Sequence, residues 1–211
     1  MIVLEHEKLQ SKAERVEEYA LNVIKNNKEL NKLYKSMIDK DKGVFEHSQN
    51  VCRIAVILGL AYNFNLDELI TMAVGSMLHD IGKIYLDKDI LYKPDKLTDN
   101  EKIFVEAHTL LGFKMIKDID LNPMVADIVK FHHEKLNNKG YPDGLHNSEI
   151  SIYVQIVTIA DIYDALTTER VYKEAYSVEQ AFKIMEKDNG LNQIALGILK
   201  ELVYRYSLDN Q

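Results

Sequence analysis

Ile152-Tyr153-Val154-Gln155-Ile156-Val157-Thr158-Ile159-Ala160-Asp161 is the stretch on which the fold class turns. Its β-branched residues favour a strand by intrinsic propensity. At this length a buried helix is the better reading, and it is placed at 150–168. The last residue of the stretch adds a second point. Asp161 is an acid within an otherwise apolar helix, and an unpaired buried carboxylate costs several kcal/mol, about what a hydrogen-bonded core partner or a metal ion must offset.

The rest of the chain reads the same way. Only 3 prolines and 9 glycines interrupt 211 residues, and apolar residues recur mostly at helical spacing. Thr98-x-x-Glu101 and Ser177-x-x-Gln180 are capping boxes. Asn122-Pro123 sets a capping side chain before a proline at the first helical position. Helices are expected near 11–40 (broken around Asn26-Asn27), 44–62, 66–79, 98–117, 122–135, 150–168, 177–188 and 191–206. Two irregular segments remain, Lys83 to Leu97 and Asn137 to Ser148, the second dense in turn formers. The fold class is therefore all-α. Residues 1–42, rich in Lys, Glu and Asn, read as a short N-terminal helical extension, and 43–211 as the main domain.

Composition narrows the function. Apolar residues make up 46% and charged residues 28%, the balance of a globular protein. A net charge of −7 speaks against direct nucleic-acid binding, although metal ions can make one pocket locally positive for a small anionic substrate. The single cysteine, Cys52, excludes an internal disulfide and reads as a packed core residue. The longest apolar run, Ile54 to Tyr62, falls well short of the roughly 20 residues a bilayer needs. No signal-peptide pattern opens the chain, so no membrane partner and a cytoplasmic location are expected.

The chemistry concentrates in histidines. Of the seven, His6 and His146 sit in polar surroundings, whereas His47, His79, His108, His132 and His133 lie beside helical segments. One lone histidine on an apolar helix is usually a satisfied structural residue. Five of them, one followed directly by Asp80 and two adjacent, favour a metal site. In Met77-Leu78-His79-Asp80-Ile81-Gly82-Lys83, the two neighbouring polar side chains project about 100° apart on a helix, so a carboxylate can bridge while an imidazole serves one ion. Gly82 is read as the helix end, and Lys83 lies one turn after His79.

His79-Asp80-x-Gly82-Lys83, His132-His133-Glu134 and Gly140-Tyr141-Pro142, taken in order, resemble the HD-GYP family of bacterial cyclic di-GMP phosphodiesterases, a branch of the HD superfamily. The resemblance runs from about Val44 to about Val203, and includes Asp161-x-Tyr163-Asp164-Ala165-Leu166-Thr167 and Arg170-x-Tyr172-Lys173. It implies an HD-domain helical bundle. It assigns His47, His79, Asp80, His108, His132, His133 and Asp161 as metal ligands, with Asp80 bridging. By the same resemblance Lys83 lies near the scissile phosphate, Tyr141 beside the site, and Arg170 and Lys173 on the dinucleotide. There are two departures. Gly43 stands where some members carry a glutamate ligand for a third metal, so two ions are expected; and Asn137-Asn138 replaces the usual Asp-Gly of the loop.

The implied activity is hydrolysis of cyclic di-GMP to the linear dinucleotide pGpG, with onward cleavage to GMP left open. Two divalent ions about 3.5–4 Å apart can share a water and lower its pKa, providing a bridging hydroxide. Fe or Mn suits the mixed N/O ligands, and Zn or Ni is compatible with them. Three rival readings stay open: another cyclic dinucleotide such as cyclic GMP-AMP, a non-catalytic nucleotide sensor, and a mononucleotide phosphatase. A homodimer, and protein partners such as diguanylate cyclases, fit the resemblance as well.

Overall fold

The computed structural model describes residues 2–169 and 174–207. Among the described residues eleven α-helices follow one another: α1 (Ile2–Asn26), α2 (Lys28–Lys40), α3 (Lys42–Ala61), α4 (Leu66–Leu78), α5 (Lys88–Leu91), α6 (Asp99–Glu106), α7 (His108–Ile116), α8 (Pro123–Phe131), α9 (Ile152–Thr167), α10 (Val178–Met185) and α11 (Gln193–Ser207). Two 3-10 turns, Ile81–Tyr85 and Asn147–Glu149, complete the order. No strand occurs among the described residues, only an isolated bridge between Asn137 and His146. None of their helices is long and apolar enough to cross a membrane.

Local chemistry sets the boundaries. The Asn27 side chain accepts from the amides of Glu29 and Leu30, both at 3.1 Å, so the chain breaks there and α2 starts anew. Asn65, Thr98 and Ser177 each form a reciprocal capping box, and Asn122 caps α8 ahead of Pro123. The β-branched stretch is the helix α9, because burial decides it: Val154, Ile156, Val157, Ile159 and Ala160 are all buried, and Thr158 Oγ1 donates back to Val154 O at 2.9 Å. Burial of that apolar surface outweighs the small propensity preference for a strand.

The core lies where α3, α4 and α9 meet. Val51, Ala55, Met72, Met77, Ile156 and Ile159 belong to one continuous cluster. Ala13, Val16, Ala20 and Ile24 of α1 join it, as do Leu30 and Met37 of α2. Cys52 is fully buried within it. α4 and α8 approach closely at Gly75, where an added Cβ would sit 2.7 Å from Ile128 Cδ1.

Several expectations need correction. α1 begins at Ile2 rather than near residue 11, and the helix expected over 122–135 ends at Phe131. The segment read as one helix over 98–117 is two, parted at Ala107. His108 Nδ1 bonds Val105 O at 2.7 Å and Thr109 Oγ1 donates to Glu106 O at 3.1 Å, which takes carbonyls from the helical ladder. The segment Lys83 to Leu97 is only partly irregular, since α5 and the end of the first 3-10 turn fall inside it. Gly82 is not the end of α4. That helix stops at Leu78, and Gly82 lies in the 3-10 turn because the backbone of α7 crosses it: an added Cβ would lie 2.0 Å from His108 O.

Candidate metal centre

Each donor is delivered by the end or the inner face of a helix. His47 sits on α3, His79 and Asp80 in the turn after α4, His108 at the start of α7, His132 and His133 just after α8, and Asp161 on α9. Thr158 Oγ1 donates to His132 O at 2.7 Å, tying the end of α8 to α9. Segments far apart in sequence thus converge on one point beneath the core.

Asp80 is the centre of the arrangement and is fully buried. Its Oδ2 lies 3.3 Å from His79 Nε2 and 3.6 Å from His47 Nε2. Its Oδ1 lies 3.2 Å from His108 Nε2 and 3.8 Å from His132 Nε2. Two donor groups result: His47, His79 and Asp80, and Asp80, His108, His132 and His133, the donor atoms of each falling within 4.8 Å of one another. One carboxylate faces both, an oxygen to each. Asp161 stands at the rim, with Oδ1 2.9 Å from His47 Nε2 and Oδ2 3.7 Å from His133 Nδ1.

The outer partners fix which ring nitrogen faces the centre. His79 Nδ1 bonds Ser76 O at 2.7 Å, His108 Nδ1 bonds Val105 O, and His132 Nδ1 bonds Val129 O at 3.1 Å. A carbonyl only accepts, so each Nδ1 carries the proton and each Nε2 turns a lone pair inward. His47 has the carboxylate equivalent, since its Nδ1 meets Asp164 Oδ2 at 2.6 Å. Thr168 Oγ1 in turn donates to Asp164 Oδ1 at 2.8 Å.

The electrostatics of Asp80, Asp161, His132 and His133 agree with that donor pattern. Burial opposes the charge on Asp80, yet Lys83, His79 and His108 hold its carboxyl well below the usual carboxylate range. Burial likewise opposes the charge on Asp161, and the His47 hydrogen bond with the nearby imidazoles overrides it. Burial pushes His132 well below the ordinary imidazole value and His133 down to about 3, which keeps both neutral, the form that ligates metal. His47 differs: burial acts on it too, but its bonds to Asp161 and Asp164 raise it to about 9, so this ring must release a proton before it can ligate.

A divalent ion fits these residues. His79 Nε2 and Asp80 Oδ1 are buried without a hydrogen-bond partner among the described residues. An orphaned buried polar atom costs about 1–3 kcal/mol. Both face the donor groups, and a cation there would satisfy them. Imidazole nitrogens with carboxylate oxygens make the donor set of a divalent-metal centre.

The site opens into a cavity of about 570 Å³ lined by His47, His133 and Asp161 at its base and Tyr141 on its wall, with Lys83 and Lys139 among the basic groups. Lys83 Nζ donates to Asp80 Oδ2 at 2.6 Å. The Tyr141 ring stacks on that of His133, centroids 4.7 Å apart. All seven expected ligand residues come together at one centre, and His47, His133 and Asp161 line the cavity over it with Lys83 and Tyr141. Arg170 and Lys173 lie outside the described residues.

Two residues that sequence reading left without a role support this centre. Asp164 orients His47, and its signal was the i, i+3 spacing from Asp161 on one helix face. Glu134 is buried and accepts from the amides of Asp143, Gly144 and Leu145 at 2.7, 2.9 and 3.0 Å, which pins the loop carrying Tyr141. Sequence offered no signal for that, because all three donors are main-chain groups.

Comparison with known proteins follows the same lines. The family described as HD domain matches residues 31–194. The chain is 33% identical over 178 residues to a cyclic di-GMP phosphodiesterase of Pseudomonas aeruginosa, covering 83% of this chain and 42% of that protein. It is 30% identical over 149 residues to a 3'3'-cGAMP-specific phosphodiesterase of Vibrio cholerae, covering 71% of this chain and 35% of that protein. The chain thus spans well under half the length of these curated relatives. Among solved structures, an HDG"Y"P protein of Bdellovibrio bacteriovorus superposes with a TM-score of 0.68 at 18% identity, covering 94% of this chain and 64% of that one. That likeness establishes the fold alone. With the matched span covering the donor residues from His47 to Asp161, and with His79-Asp80 and Gly140-Tyr141-Pro142 both at the site, the chain belongs to the HD-domain family and carries the motif set of its HD-GYP branch.

Proposed function

We propose that this chain is a cyclic di-GMP phosphodiesterase that works with two divalent metal ions. The observation that carries the reading is Asp80, buried between two groups of imidazoles with one carboxylate oxygen toward each. His47, His79 and Asp80 would hold one ion, and Asp80, His108, His132 and His133 the other, with Asp161 as a further oxygen donor between His47 and His133. Fe or Mn suits this mixed N/O set best, and Gly43, which brings no carboxylate to the first turn of α3, favours two ions over three. When bound, the pair supplies a water of lowered pKa and neutralises charge at the phosphodiester.

The chain's own residues do the rest. In the hydrolysis, water oxygen joins phosphorus while the bond from phosphorus to ribose O3′ breaks, leaving a 5′-phosphate and a free 3′-hydroxyl that takes its proton from solvent. Lys83, in the cavity wall beside Asp80, places an ammonium next to the phosphoryl oxygens as their charge grows. Tyr141, held flat on His133, offers a ring face and a phenol to the substrate. Burial pushes that phenol far above its ordinary value, with Asp161, Asp80 and Glu106 adding to the effect, so it stays protonated and donates. Arg170 and Lys173 are proposed to hold the dinucleotide from the segment after α9.

The test is direct. Purified protein incubated with Mn²⁺ or Fe²⁺ and cyclic di-GMP should yield linear pGpG. No linear product at any metal loading would sink the proposal, and tight binding without turnover would make the chain a sensor instead.

A further inference from the structure

Beyond the groups already used, the cavity wall holds Glu106, in the last turn of α6. The cavity is otherwise cationic at its rim: Lys83, Lys102, Lys135 and Lys139 also line it. The only other carboxylate among its described lining residues is Asp161, which is taken by His47 at 2.9 Å. Glu106 is different. Its nearest side-chain partner is Lys102 at 3.6 Å, too long for a hydrogen bond, and that lysine is 69% exposed. Surface pairs of that kind contribute little, so the carboxylate is free to take another partner. Its side chain is itself three-quarters covered. It shares the cavity lining with Tyr141 of the loop.

An acceptor-only group in a basic pocket is out of place for phosphate and suited to a base. Guanine presents two adjacent donors, N1–H and the exocyclic N2 amine, which two carboxylate oxygens can accept side by side. Adenine presents N1 as an acceptor beside its N6 amine, so one carboxylate oxygen would face a lone pair. An amide side chain reverses this preference, because its oxygen accepts from the adenine amine while its NH₂ donates to N1.

We propose that Glu106 reads a guanine base of the bound cyclic dinucleotide through paired hydrogen bonds, and that it sets the preference for guanine over adenine at this position. The proposal rests on the cyclic-dinucleotide reading above and deepens it. Glu106 is a specificity-determining residue and takes no part in bond cleavage. α6 is independently anchored by the Thr98 capping box and the Lys93–Glu101 ion pair at 2.9 Å, so substitution at its last residue leaves the helix in place.

Equilibrium binding and turnover should be measured side by side for cyclic di-GMP, 3'3'-cGAMP and cyclic di-AMP, on the Mn²⁺-loaded protein and on Glu106→Gln and Glu106→Ala. A matched bidentate contact discriminates between bases by about 1–3 kcal/mol, roughly fivefold to more than a hundredfold. Glu106→Gln should therefore lower the affinity ratio of cyclic di-GMP to cyclic di-AMP by about tenfold or more, with 3'3'-cGAMP in between. Glu106→Ala should weaken cyclic di-GMP while leaving cyclic di-AMP nearly unchanged. Equal changes for all three ligands in both variants, at unchanged metal content and melting temperature, would overturn the proposal. Binding with the expected ratios but no turnover would refute hydrolysis and leave the guanine contact standing. A wild-type protein that binds none of the three would overturn both.

Discussion

Glu134→Ala removes one side chain and three hydrogen bonds, and it separates the scaffolding of the site from its chemistry. The Glu134 carboxylate is 2% exposed and accepts from three successive amides of the loop, those of Asp143, Gly144 and Leu145. The loop also lies directly on the main chain beside it: an added Cβ on Gly140 would be 2.4 Å from Glu134 Cα. Hydrogen bonds to a charged acceptor contribute about 1.5–3 kcal/mol each, but the three share one carboxylate and water can reach part of the loop once it is gone. A net loss of about 3–5 kcal/mol follows, comparable to breaking a buried charged pair. For a chain of this size that lowers the melting temperature by roughly 10 °C. Glu134→Gln, which keeps one acceptor oxygen, should lose about half as much. Thermal denaturation reads the first effect, and amide hydrogen exchange over 141–145 reads the local one. Metal content should hold, because His132 is anchored separately by Val129 O and Thr158. Cyclic di-GMP affinity should fall as Tyr141 loses its stack on His133. A melting temperature within about 1 °C of wild type, with unchanged exchange over 141–145, would refute the reasoning.

Further expectations concern the backbone and the outer partners. Gly82→Ala sets a Cβ 2.0 Å from His108 O and must push α7 away from the His79-Asp80 turn; a loss of about 3 kcal/mol or more and reduced metal content are expected, and a normal melt with full metal would contradict them. Asp164→Asn keeps the shape but removes the charge that orients His47, so metal affinity measured by chelator competition should fall about 10–100-fold. Gly75→Ala should cost about 1–3 kcal/mol, since its Cβ meets Ile128 Cδ1 at 2.7 Å. Adding Ile128→Val removes that methyl and should recover at least about 0.5 kcal/mol in a double-mutant cycle.

Much of this was legible in the sequence, for physical reasons that differ from part to part. Caps are local, so the breaks at Asn27, Asn65 and Thr98 follow from a few neighbouring residues. The helical reading of Ile152 to Asp161 held because apolar residues run along it well beyond an ordinary strand's length, and burial did the rest. A metal site was suggested by five helix-borne histidines beside Asp80 and by an acid in an apolar helix, whereas the full set of seven ligands came from the ordered motifs that resemble the HD-GYP family. What stayed hidden is tertiary. The break at Ala107 exists because His108 and Thr109 side chains capture carbonyls of α6, which no helical pattern announces. Gly82 reads as a helix end until α7 is seen crossing it. Glu134 binds only main-chain amides, and Asp164 acts through His47, 117 residues away in sequence.

The central claim is that Asp80 joins two metal sites. Elemental analysis of the Mn²⁺-loaded, desalted protein tests it most directly, beside Asp80→Ala prepared in the same way. Two ions per chain in the wild type, and loss of both metal and turnover in the variant, are the predicted results. A wild type that saturates at one ion, or an Asp80→Ala protein that still holds two, would contradict the shared-carboxylate site.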